Sequence, residues 1–137
     1  MALEELISKI TDEHRYLAKE MVKFAQEGQV RIAYGELSDL IFKKYNINID
    51  PHTVMRHRLG LISEICYYLG LPMLSVIVIN QAEQIPMDGF YELYDKLHGT
   101  SYKGNKYFEE KIRKEIKNAV MNCKDWDKLL KFLNIEN

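Results

Sequence analysis

The chain has 137 residues, 47% of them apolar and 28% charged, a balance that suits one globular domain with a real core and leaves no room for two ordinary ones. Its net charge of −1 excludes strong attraction to nucleic acid over the whole surface, because that attraction comes from lysines and arginines displacing counterions from phosphates. The longest uncharged apolar stretch, residues 70–81, falls far short of the roughly 20 residues a membrane span needs. Glu4 and Glu5 stand where a signal peptide would be basic, so no membrane partner and a cytoplasmic location are expected.

Residues 3–27 read as helix. Leu3, Leu6, Ile7 and Ile10 share one face, and Leu17, Met21, Phe24 and Ala25 another. Thr11-Asp12-Glu13-His14 offers a break, with Thr11 or Asp12 as N-cap, and Gly28 closes the segment. Val30-Arg31-Ile32 is extended. A second helix runs from about Tyr34 to Tyr45, with Leu37, Leu40 and Ile41 pointing inward. Residues 46–50 are turn-prone. Asp50-Pro51 pairs an N-cap acid with a proline at the first helical position, which starts a third helix at Pro51. Val54, Leu59, Leu61, Ile62, Ile65, Cys66 and Leu69 carry its apolar side, and Gly70 ends it.

Residues 74–79, rich in β-branched side chains, read as a strand. Residues 80–86 form a loop and 87–89 a second turn. Phe90, Leu93, Tyr94 and Leu97 mark a short helix that stops at Gly99. After a polar stretch at 101–105 comes a helix over 107–122. Trp126, Leu129, Leu130, Phe132 and Leu133 make a last amphipathic turn or two. The expected fold class is mainly α with a small β element, in a single domain over residues 1–137.

Cys66 and Cys123 fall in helical apolar patterns and read as buried small hydrophobes rather than a disulfide. Of the four histidines, His52 and His57 are nearest one another but lie on different helix faces with no cysteine pair beside them, so no metal is expected. Glu36, Asp39 and Asp50 bring no base to a nucleophile. No phosphate-loop or dinucleotide fingerprint is present. The expectation is no enzyme, no catalytic residue and no cofactor.

Three motifs carry a family resemblance. They are Tyr34-Gly35-Glu36-Leu37, His57-Arg58-Leu59-Gly60, and Leu71-Pro72 ahead of the apolar stretch. In this order, over about residues 17–80, the chain resembles the C-terminal domain of the alkylguanine-DNA alkyltransferases and their alkyltransferase-like relatives. The resemblance implies a winged-helix-like helix-turn-helix core over 17–80, to which the expected fold adds one hairpin, terminal helices and a C-terminal helical extension over about 101–134. It also implies that Arg56, His57 and Arg58 lie on a DNA-recognition helix and that Tyr34 touches the DNA backbone. The family's catalytic Pro-Cys-His-Arg is replaced by Val76-Ile77-Val78-Ile79, with Ile77 at the cysteine position, so alkyl transfer is excluded. Residues 85–92 resemble a segment of certain bacterial and phage proteins.

Two functional expectations follow. The first is a non-enzymatic DNA-binding protein that docks on double-stranded DNA through Tyr34, Arg56, His57 and Arg58, helped by Lys103, Lys106, Arg113 and Lys117. Over residues 103–117 six basic residues outnumber three acidic ones, although such a mixed run is as readily a solvated helix face with pairs such as Glu110 and Lys114. The second is a protein-binding module, such as a phage or mobile-element inhibitor of a host defence nuclease, with Tyr67, Tyr68, Tyr91 and Tyr94 at its interface. A homodimer is a further option. Fold similarity does not decide between them.

Overall fold

The computed structural model describes residues 2–135. Among them the order is α1 (Ala2–Ile7), α2 (Asp12–Gln26), β1 (Ile32–Ala33), α3 (Tyr34–Tyr45), α4 (Val54–Tyr68), a 3-10 turn (Leu74–Ile77), β2 (Val78–Ile79), α5 (Asp88–His98), α6 (Lys106–Asn122) and α7 (Trp126–Phe132). The mainly α class with a small β element holds.

The expected helix over 3–27 is two helices, because Thr11 starts a new one. Its backbone N–H donates to Nδ1 of His14 at 2.9 Å, closing a capping box at the head of α2. The third helix begins at Val54, not Pro51. The Asp50 carboxylate, placed to cap a helix, instead accepts from the N–H of His52 at 3.3 Å and of Thr53 at 3.1 Å, which holds residues 51–53 in a separate turn. The inward stripe therefore runs Met55, Leu59, Ile62, Ile65 and Cys66, while Val54 is 36% exposed.

The predicted strand over 74–79 survives only as Val78–Ile79. Leu74–Ile77 coils into a 3-10 turn pinned by two buried serines: Ser75 N–H donates to Ser63 Oγ at 2.9 Å, and Ser63 Oγ–H to Ser75 Oγ at 2.6 Å. That pair overrides the β preference of Val76 and Ile77. The expected hairpin is also corrected. β1 and β2 pair in parallel, with Ile32 opposite Val78, because α3 and α4 lie between them in the chain. An isolated antiparallel bridge joins Asn80 to Ile85.

The core is continuous from α2 through α4 and the 3-10 turn to α7, with Leu17, Met21, Leu37, Ile41, Ile62, Ile77 and Leu129 fully out of water. Each such side chain contributes roughly 1.5–3 kcal/mol of transfer free energy. Cys123 is half-buried, in contrast to the fully buried Cys66. Among the described residues one carboxylate enters the interior. Glu20, 3% exposed, accepts from Tyr45 Oη–H at 2.6 Å and from Lys44 Nζ at 2.8 Å. The Tyr45 ring stacks on Tyr16 at 4.1 Å. Burial raises the Glu20 pKa, and the two hydrogen bonds with the Lys44 charge more than offset it, leaving the carboxyl below its ordinary range. This network clamps α3 to α2.

Candidate functional site

From its N-cap Thr53, α4 has one stripe that lines a cleft: His57, Gly60, Glu64 and Tyr68, spaced three or four apart, with Leu61 beside Gly60. These residues floor a cleft of about 820 Å³. One wall is α1, with Glu5 and Leu6, and Lys9 just beyond its end; the other is α5, with Gly89, Phe90, Glu92, Leu93 and Lys96. Both walls pack on α4. Gly60 sits in the middle of the floor, and a Cβ there would meet nothing within 4 Å.

Arg56 and His57 are exposed and line this cleft together with His52. Arg56 Nη1 donates to the His52 carbonyl at 3.4 Å, and its Nη2 would lie 3.8 Å from a Cβ on Gly89, so its guanidinium rests against the start of α5. The cations lining the cleft are Lys9, Arg56 and Lys96, against the carboxylates Glu5, Glu64 and Glu92. Tyr34 closes one end. Its hydroxyl accepts the Met87 N–H at 3.1 Å, and burial raises its pKa against the pull of that bond and of Arg56. It ties α3 to the start of α5.

The other expected DNA contacts lie elsewhere. Arg58 turns toward α2 and pairs with Glu13 at 3.3 Å. Lys103 pairs with Glu92, and its backbone N–H donates to Asp95 at 2.9 Å. Lys106 is exposed at the start of α6. Arg113 donates to Tyr91 Oη at 2.9 Å. Lys117 is half-buried on the same helix face as Arg113, four residues on. Only Tyr34, Arg56 and His57 of the eight come together at the cleft.

The expected interface tyrosines also divide. Tyr91 is buried, at 2% exposure. Tyr67, Tyr68 and Tyr94 join one aromatic strip: Tyr68 meets Tyr67 edge-on at 5.2 Å, Tyr67 meets His98 at 5.1 Å, and His98 stacks on Tyr94 at 3.9 Å. The strip continues through Tyr102 to Phe108, whose rings stack at 4.6 Å. Only Tyr68 of the set lines the cleft.

The alkyl-acceptor position is apolar and closed, since Ile77 lies in the 3-10 turn with no exposure. Burial pushes the Cys66 thiol up to about 12, so it is no nucleophile at neutral pH. Among the described residues no three His, Cys, Asp or Glu side chains gather as metal ligands. Sequence reasoning missed Gly60, Glu64, Glu92 and Lys96. The first two were within reach as the complement of the core stripe of α4; the α5 pair depends on how that helix folds over α4. No protein-family model, curated protein or solved structure matches the chain.

Proposed function

We propose that this chain is a non-enzymatic binding protein that takes a segment of a partner protein into the cleft over α4. The carrying observation is that the outward stripe of α4 is the floor of a cleft walled by α1 and α5. A major groove about 12 Å wide admits one projecting helix, and a helix with its side chains already spans about 10–12 Å. A helix flanked on both sides by α1 and α5 does not project in that way. Three carboxylates also face three cations in the cleft, which cancels most of the pull on phosphates. The same mixture suits a polypeptide. Leu61, Tyr68, Phe90 and Leu93 offer apolar area, and the interleaved charges accept and donate to a polar backbone.

The test is a selection of random displayed peptides on the wild-type protein, followed by rebinding to Gly60→Trp, whose ring occupies the floor. Enriched peptides that lose their affinity for the variant support the reading. Peptides that bind both proteins equally, or no enrichment at all, end it.

A second reading rests on Arg56, His57 and His52, exposed around the N-terminal end of α4, the end from which a recognition helix touches bases. It keeps the alkyltransferase-like resemblance and requires duplex DNA to bind with an affinity that falls with salt and is lost in Arg56→Ala/His57→Ala. Fluorescence anisotropy across a salt series measures this directly.

A further inference from the structure

The outward face of α3 carries a second surface, apart from the cleft over α4. The helix turns Leu37 and Ile41 inward, and both are fully buried. At about 100° per residue the opposite side is Gly35, Asp39, Phe42 and Lys43, and all four are exposed. None of them lines the cleft over α4. The Phe42 ring is apolar and yet 47% exposed. Asp39 and Lys43 line a separate hollow of about 710 Å³, together with Phe24, Val30, Ile32 and Leu40. Those four apolar side chains are only half-buried, so apolar area stays open along this flank of the helix.

Asp39 and Lys43 are four residues apart with the acid first, the order and spacing that favour an ion pair on one helix. Glu110 and Lys114 have the same spacing and pair at 2.7 Å. Among the described residues Asp39 and Lys43 form no ion pair at all. Two cations, Arg31 and Lys43, face two carboxylates, Glu36 and Asp39, around the hollow. A face so balanced draws neither a polyanion nor a polycation. It is complementary to itself.

A two-fold axis turns one patch onto its own copy, so that a contact from one residue to another is repeated in reverse. With the axis perpendicular to α3 and midway between Asp39 and Lys43, two α3 helices run antiparallel. Asp39 then stands level with Lys43 of the second copy, and Lys43 with its Asp39. On the helical wheel Phe42 lies to one side of that line and Leu40 to the other. The same operation keeps each flank on its own side. Phe42 therefore meets Phe42 of the second copy, and the two hollows meet across Leu40. We propose that the protein forms a two-fold homodimer through this face of α3, with Asp39 and Lys43 cross-paired between copies and Phe42 packed on itself. The dimer leaves the cleft over α4 free and does not depend on what fills it.

The experiment is sedimentation velocity of the full chain over a concentration series, beside Asp39→Lys and Lys43→Asp. Both positions are exposed, and circular dichroism establishes that the variants fold. One variant makes the line wholly cationic and the other wholly anionic. The expected result is a wild-type dimer, about tenfold or more weaker self-association in each variant, because like charges then face each other, and recovery of the dimer when the two variants are mixed in equal amounts. A wild type that is monomeric at every concentration overturns the proposal. So does a dimer that either variant keeps unweakened, or a mixture that remains monomeric.

Discussion

Glu20 and Lys117 are both ionisable groups drawn partly or wholly out of water, and their surroundings differ in kind. Glu20 meets a hydroxyl and an ammonium, each at hydrogen-bond distance, and its charge is stabilised. Burial first, and then the Arg113 and Arg31 charges, disfavour the charge of Lys117. A compensated buried charge is a fastening between helices. A cation drawn out of water without such partners holds its proton less firmly. The cleft over α4 lies between these cases, with cations and carboxylates in equal number, Arg56 and Glu64 on the floor and the others on the two walls.

His14 sharpens the comparison most, because it shows a third way to bury an ionisable group: staying neutral. Burial, then Arg58 and Arg15, lower its pKa from 6.5 to about 4. Its Nδ1 accepts from Thr11, which a protonated ring cannot do. The folded pKa lies below the unfolded one, so the unfolded chain takes the proton first. The stability is whole above pH 6.5 and is lost as the pH falls toward 4, by roughly 3 kcal/mol. Urea unfolding at stepped pH should show this slope. His14→Gln, which keeps the Thr-x-x-Gln capping box, should flatten it. Glu20 adds its own loss below its unfolded value of 4.5, so the two groups separate on the pH axis.

Next in size, Glu20→Ala should destabilise the fold by about 2 kcal/mol through its two charge-assisted hydrogen bonds, read as a lower urea midpoint. An unchanged midpoint would mean that the Glu20 network fastens nothing. Gly60→Ala tests the cleft floor in the other direction. A methyl meets nothing there, and alanine is better than glycine inside a helix by about 0.5–1 kcal/mol, so thermal unfolding should move upward. A drop would mean that the floor is not open. Smallest of all, Lys117→Met should leave stability unchanged or raise it by less than about 1 kcal/mol. A clear loss would mean that Lys117 has an acidic partner after all.

Much of the helical order was legible from local signals. Gly28 and Gly99 end their helices at positive φ, as C-terminal glycines do. The spacings of α3 and α6 were read within a residue or so of their bounds. What escaped depended on partners distant in the chain. Nothing near residues 74–79 announces that Ser63 will meet Ser75. Asp50-Pro51 is a sound helix start until the carboxylate turns to the next two N–H groups instead. The basic residues were visible one by one. Their faces were not, because Glu13 on α2 takes Arg58, Tyr91 on α5 takes Arg113 and Glu92 takes Lys103.

Cys66 lies on the inward side of the helix whose outward side floors the cleft. Its thiol is unreactive while the core is closed, since the thiolate is the reacting species. The rate at which a thiol reagent labels it is therefore a clock for opening of the domain, with the half-buried Cys123 as the early-reacting internal reference. Anything that settles on the closed form slows that clock, by roughly a hundredfold when present at a hundred times its dissociation constant. The protein thus carries its own reporter for occupants of the cleft, readable by mass alone.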